Sequence, residues 1–169
     1  MIILETSRLV LKTIEKEDSQ VLHDLIFSKE DTMKYTFGQK AFTLEETKKF
    51  IYKNFCKNNA IVGLAPLFEK TTGLLVGISG VLKTEALGQD QYEFGFIIAE
   101  DFRRKGYAQE VAISELTFIK KRLRQNKAYA LVHKDNIASK NLLEKIGMKF
   151  ENNVTLKDRG NKEIYVKSV

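Results

Sequence analysis

Tyr92-Glu93-Phe94-Gly95-Phe96-Ile97-Ile98 and, four residues further on, Arg103-Arg104-Lys105-Gly106-Tyr107-Ala108 carry the reading of this chain. The first run is rich in aromatic and β-branched residues and reads as a strand. Tyr92, Phe94, Phe96 and Ile98 fall on one face of it, and Glu93, Gly95 and Ile97 on the other. From Gly106 to Leu123, residues Ala108, Ala112, Leu116, Ile119 and Leu123 recur on one helical face, so a helix follows. A cationic turn containing glycine therefore opens a helix. The N–H groups of a helix's first turn lack intrahelical partners and the macrodipole is positive there, which makes such a turn a cradle for an anion like a diphosphate. Arg103, Arg104 and Lys105 add charge, and Gly106 admits close approach of the backbone. Two arginines and a lysine on a turn also describe an ordinary solvated corner, so the flanking sequence has to decide.

Downstream, Ala128–His133 reads as another strand, and a strand–helix–strand unit over 92–133 demands a parallel crossover. A short helix Ile137–Ile146 stops at Gly147, and Lys149–Leu156 and Glu163–Lys167 flank Asp158-Arg159-Gly160-Asn161 as a closing hairpin. Upstream, Ala60–Glu69 and Leu74–Lys83 form a second hairpin about Thr71-Thr72-Gly73. Thr43-Leu44-Glu45-Glu46 has the form of a capping box and starts a helix with an apolar stripe of Leu44, Ile51 and Phe55. The chain opens with a strand Arg8–Lys12 and a helix Glu17–Ser28, in which Val21, Leu22, Leu25 and Ile26 keep helical spacing. Seven strands are read in all. The expected fold class is α/β (α+β), a mixed and mostly antiparallel sheet with helices on both faces.

Composition narrows the class. At 169 residues and 19.4 kDa, with 43% hydrophobic and 30% charged residues, the chain suits one globular domain over 1–169. Pro66 is the sole proline, and no linker or repeat is visible. Met1-Ile2-Ile3-Leu4-Glu5 meets a charge too soon for a secretion signal, and no apolar run approaches the roughly 20 residues of a membrane span, so a cytoplasmic protein is expected. Cys56, alone and on a predicted helix, is read as structural and excludes an internal disulfide or thiolate cluster. His23 and His133 have no metal partners at useful spacing, so no metal is expected. The net charge of +6 suits either a polyanion or a phosphate-bearing ligand. Its densest block, Lys120-Lys121-Arg122-Leu123-Arg124, ends a helix, where cations complement the dipole. No aromatic residues interleave with it as base stacking would require, and direct nucleic-acid binding is not expected.

Taken in order, Tyr92–Ile98, Arg103–Glu110 and Asn136-Ile137-Ala138-Ser139-Lys140-Asn141-Leu142-Leu143-Glu144-Lys145-Ile146-Gly147-Met148 resemble the GCN5-related N-acetyltransferase (GNAT) superfamily. Within it the chain is most similar to the ribosomal-protein N-terminal acetyltransferases of the RimJ/RimL type, whose first strand Glu5–Leu11 looks like. Arg103-x-x-Gly106-x-Ala108 matches that superfamily's signature for the coenzyme A pyrophosphate. The resemblance implies a seven-stranded sheet with splayed central strands and acetyl-CoA as donor. It also implies a cofactor site made of Phe96, Ile97, Ile98, Arg103, Arg104, Lys105, Gly106, Tyr107, Ala108, Asn136 and Ser139. Backbone groups of Phe96, Ile97 and Ile98 would pair with the pantetheine arm like an added strand, and a backbone N–H near Ile97 would polarise the thioester. Read from residues alone, this stretch is also simple helix capping, with Asp135 or Asn136 as N-cap and Ser139 in the first turn.

Acetyl transfer to an amine needs a neutral amine, stabilisation of an oxyanion and a way for the thiolate to leave. Glu93, a lone carboxylate beside side-chain-free Gly95, suits a general base acting directly or through a water. It is also what an exposed edge carboxylate would look like. Many members of the superfamily carry a tyrosine where this chain has Leu143, so the resemblance leaves Ser139 to assist the thiolate. Tyr35, Phe37 and Tyr165, with the segments 29–42 and 84–91, are the candidates to shape the acceptor mouth. The acceptor the resemblance favours is a protein N-terminal α-amine of the ribosomal-protein type. A polyamine, an amino acid or an aminoglycoside, a non-catalytic acyl-CoA sensor, and a monomeric or homodimeric state all remain open.

Overall fold

The computed structural model describes residues 1–84, 86 and 90–169. The elements run β1 (Ile2–Glu5), β2 (Leu9–Lys12), α1 (Asp18–Leu22) continuing into a π-helical turn over His23–Phe27, α2 (Glu30–Met33), α3 (Leu44–Asn54), β3 (Gly63–Glu69), β4 (Leu75–Thr84) and β5 (Gln91–Ile98). They continue with α4 (Tyr107–Lys121), β6 (Lys127–Val132), α5 (Ile137–Lys145), β7 (Lys149–Leu156) and β8 (Gly160–Ser168). The strands form one sheet in the order β1-β2-β3-β4-β5-β6-β8-β7, with β5 and β6 parallel and the other neighbours antiparallel.

Eight strands stand where seven were expected. The extra one, β1, pairs antiparallel with β2. Four residues are too few to show a period, and their strand character comes from the pairing partner. Residues 85 and 87–89 of the segment 84–91 lie outside the described residues.

Alternation along β5 divides the core as the sequence implies. Phe94 and Ile98 join a cluster with Val111, Ala112 and Ile119 of α4 and Leu143 of α5. Ile97 joins the opposite cluster with Leu22, Ile26 and Phe27 of the first helical segment and Ile51 of α3. The capping box of α3 is complete: Glu46 N–H donates to Thr43 Oγ1 at 3.2 Å, and Thr43 N–H donates to Glu46 Oε2 at 2.8 Å. α3 in turn anchors the segment 29–42, since Phe50 packs on Phe37 at 4.5 Å and on Phe27 at 5.4 Å between ring centroids. That cluster holds Phe37 over the sheet. Gly77 lets β4 and β5 close up, because a Cβ there would collide with the Ile97 carbonyl.

Cys56 is buried and unbridged. Burial, with the charge of Glu115 adding to it, pushes its thiol up to about 11. Native protein at pH 8 is therefore expected to leave Cys56 unreacted with an aromatic disulfide reagent on the minute scale, with full reaction after unfolding in guanidinium. Rapid modification of folded protein would contradict this placement. Among the described residues no helix is long and apolar enough to cross a membrane.

Candidate active site

The parallel pair β5 and β6 registers only at Glu93 and Tyr129, and beyond that point the strands part into a wedge. Which backbone groups face the wedge follows from the other side of β5. Ala99 N–H donates to Val76 O at 2.9 Å, and the β4–β5 register is unbroken from Ile98 back to Gln91. By two-residue alternation Ile97 and Gly95 turn their backbone groups toward β4, and Phe96 and Ile98 turn theirs into the wedge. Of the three residues expected to pair with an extended ligand, Ile97 is thus engaged within the sheet. Ile98 O accepts from Arg103 Nε at 3.1 Å.

The cationic turn opens α4 as expected. Gly106 is its N-cap at φ +80°, a left-handed conformation suited to glycine, and no side chain caps the first turn. Glu110, one turn in, accepts from Thr6 Oγ1, Ser7 Oγ, Arg8 N–H and Arg8 Nε, while Arg8 Nη1 donates to Lys105 O at 2.9 Å. Burial works against ionisation of this carboxyl, yet the combined donors hold it down to about 2. The β1–β2 corner is thereby clamped to the turn.

Not every residue of the turn is free to bind. Arg103 Nη2 donates to Thr32 Oγ1 at 2.9 Å, so its guanidinium ties the turn to α2. The Tyr107 ring is buried and its hydroxyl donates to Glu69. Arg104 and Lys105 remain exposed, beside the uncapped N–H groups of α4.

A cleft continues from the wedge past Phe94, Gly95 and Phe96. Val132 of β6 and His133 just after it, Asn136, Ser139 and Leu143 around α5, Tyr35 and Phe37, and Arg159 and Lys162 of the β7–β8 hairpin complete its lining. Asn136 caps α5, its Oδ1 accepting Ser139 N–H at 3.2 Å, and both residues still line the cleft, so the capping and binding readings coexist. His133 Nδ1 accepts Asp135 N–H at 3.2 Å, and its ring stacks on Tyr35 at 5.1 Å. Tyr165 lies in the α4–α5 side of the core, away from the lining. The open space anticipated at Gly95 is present, with no described atom within 4 Å of where a Cβ would stand.

Glu93 is 4% exposed, and its Oε1 accepts from Arg159 Nη1 at 2.6 Å. Of the two readings of Glu93, the exposed edge carboxylate does not hold: Glu93 is one half of a buried ion pair, and Arg159 rather than Glu93 contributes to the cleft wall. Lys162 is 3% exposed and donates from Nζ to Tyr35 O at 2.9 Å. Burial first, then the charge of Arg159, bring its ammonium down to about 8. Sequence reading missed both cations. Asp158-Arg159-Gly160-Asn161 looks like a solvated turn, and nothing local shows that Arg159 meets a carboxylate 66 residues away.

Residues 8–149 match the acetyltransferase (GNAT) domain family, and the chain belongs to that family. It is an N-acetyltransferase of the acyltransferase class. It is 28% identical over 148 residues to the Bacillus subtilis N-acetyltransferase YnaD, itself uncharacterised, covering 88% of this chain and 83% of that one. A GNAT-family acetyltransferase structure from Bacillus anthracis superposes with a TM-score of 0.81 at 26% identity, covering 99% and 98% of the two chains. At the level of fold alone, the chain is similar to a RimL ribosomal L7/L12 α-N-protein acetyltransferase in complex with coenzyme A (TM-score 0.77, 16% identity, 100% and 98% covered). The same holds for the Vibrio cholerae spermidine N-acetyltransferase in complex with coenzyme A and spermine (TM-score 0.75, 18% identity, 96% of each chain covered).

Proposed function

We propose that this protein moves the acetyl group of acetyl-CoA to a primary α-amine that enters beside Gly95. The observation that carries the reading is one cleft joining the β5–β6 wedge, the Asn136–Ser139 turn and Arg159, behind which Glu93 is paired. The donor fits the groups available. The uncapped first turn of α4, with Arg104 and Lys105, would take its phosphates. The wedge-facing backbone groups of Phe96 and Ile98 would take its amides, and Asn136 and Ser139 line the path of its thiol end. When bound, the donor supplies an acyl group on a thiol that leaves readily as thiolate. Glu93, reached through a water beside Arg159, would receive the proton of the incoming ammonium.

The likeness to RimJ/RimL-type sequences favours a protein N-terminus as acceptor. A second reading, a small amine, is favoured by the way Tyr35, Phe37, Arg159 and Lys162 line the far part of the cleft. Thiol release from acetyl-CoA across N-terminal peptides, ribosomal proteins, amino acids, polyamines and aminoglycosides tests the proposal. Turnover with at least one amine is expected. Tight acetyl-CoA binding without turnover on any of them would turn the assignment toward an acyl-CoA sensor.

A further inference from the structure

We propose that Arg159 and Lys162 form an anion subsite that selects an acceptor carrying a carboxylate beside its amine, that is, a free α-amino acid or a close analogue. The inference rests on the acetyl-transfer reading above and names its substrate class.

The charges of the far cleft do not balance. Arg159 and Lys162 bring two cations, and among the described residues the one carboxylate in contact with either is Glu93, bonded through a single oxygen to Arg159 Nη1. Arg159 Nε is buried and has no hydrogen-bond partner among the described residues. Lys162 has three donors to place and, among the described residues, makes one bond, to a neutral carbonyl. Removing cations from water without matching acceptors is costly, so an arrangement of this kind is completed by an anion.

The donor's phosphates have a site of their own. Arg104 and Lys105 stand exposed at the N-terminus of α4, outside this cleft. The anion at Arg159 and Lys162 therefore belongs to the acceptor. A guanidinium edge with a free Nε matches a planar carboxylate, and a lysine beside it adds a second donor. Phe37 underlies the guanidinium at 5.9 Å from its ring centroid. A zwitterionic acceptor would meet complementary charge at both ends, with its carboxylate on Arg159 and Lys162 and its ammonium on the Glu93 side by open Gly95. A polyamine brings only positive charge to the same cations, and a polypeptide N-terminus has no carboxylate next to its amine.

The test compares kcat/KM for common L-amino acids with those for the matching carboxamides and decarboxylated amines, alongside spermidine and N-terminal peptides. In the wild-type protein the free carboxylate is expected to be preferred over the amide by about 10- to 100-fold, the range for one charge-assisted hydrogen bond, and mainly through KM. Lys162→Met, which keeps volume and removes a buried charge, and Arg159→Lys are expected to reduce that preference to within about threefold. Thermal stabilisation by N-acetyl amino acids, compared with their amides, reads the subsite without turnover and should follow the same pattern. Amides, spermidine or peptides used as well as free amino acids would overturn the subsite and leave acetyl transfer standing. An equal carboxylate preference in wild type and Lys162→Met would also overturn it. If no amine supports thiol release, the parent reading fails. The product-binding comparison then decides the subsite by itself, with carboxylate-dependent stabilisation upholding it and its absence overturning it.

Discussion

Glu93→Gln is expected to lower the single-turnover rate of acetyl transfer by about 10²- to 10⁴-fold, the range for loss of a positioned general base. The substitution keeps the shape of the side chain and an oxygen that can still accept from Arg159 Nη1, but it removes the only carboxylate that meets that guanidinium among the described residues. The effect should be concentrated in the chemical step. Affinity for acetyl-CoA should hardly change, since the groups assigned to the donor lie on α4, α5 and the wedge side of β5. Ser139→Ala is expected to cost far less, about three- to tenfold, because a hydroxyl is a weak acid and a thiol of pKa about 8.5 needs little help to leave. Near-equal, negligible losses in both variants would sink both assignments. Glu93 and Arg159 are largely buried, with side chains 5% and 26% exposed, so breaking their pair also bears on folding. Chemical denaturation of Glu93→Gln should accompany the kinetics, with the rate read where the variant is fully folded.

Glu115→Gln is expected to stabilise the protein at pH 8 by up to about 3 kcal/mol while leaving it nearly unchanged at pH 4. Glu115 lies on α4, 2% exposed, and burial raises its carboxyl to about 7, against a hydrogen bond from Ser79 that works the other way. The proton count at Ser79 points the same way. Ser79 Oγ lies 3.0 Å from both Gly95 O and Glu115 Oε1, and one hydroxyl proton cannot serve both. With Ser79 donating to Gly95 O, a protonated Glu115 donates to Ser79 and completes the chain.

For this carboxyl the folded pKa lies above the unfolded one. Between about pH 4.5 and about pH 7 the native state holds a proton that the unfolded chain has released, and stability falls as pH rises. Above about pH 7 both states are ionised and the full penalty persists. Glutamine removes the ionisation and keeps a donor for Ser79. Urea unfolding midpoints of the two proteins at pH 4, 6 and 8 would show the curves separating as pH rises. Parallel curves would mean that Glu115 is solvated in a way the buried geometry does not allow.

Much of the site was legible before any fold was known, and the reason lies in what local sequence encodes. The turn Arg103–Ala108 ahead of an amphipathic helix is a local pattern, and α4 opens there with Gly106 as N-cap. The alternation of Tyr92–Ile98 is local too, and it correctly divides Phe94 and Ile98 from Ile97 between the two cores. Asn136, as N-cap of α5, and the capping box at Thr43 follow from side chains reaching three residues along the chain.

What only the tertiary structure decided are the properties that depend on partners distant in sequence. Ile2–Glu5 became a strand because β2 offered it an edge. Arg103 and Tyr107, part of a legible motif, were drawn into contacts with Thr32 and Glu69. Ile97 gave its backbone to β4, leaving Phe96 and Ile98 to the wedge. Glu93, readable as either a base or an edge carboxylate, became one half of a buried pair because the β7–β8 hairpin brings Arg159 across the sheet to it. By itself, then, the sequence determined the order of elements, the cationic glycine turn that opens α4 and the membership of one strand in two cores, since each rests on periodicity or capping within a few residues. The charge of the cleft was settled by folding, because Glu93, Arg159, Lys162 and Tyr35 meet only after their strands and loop have packed.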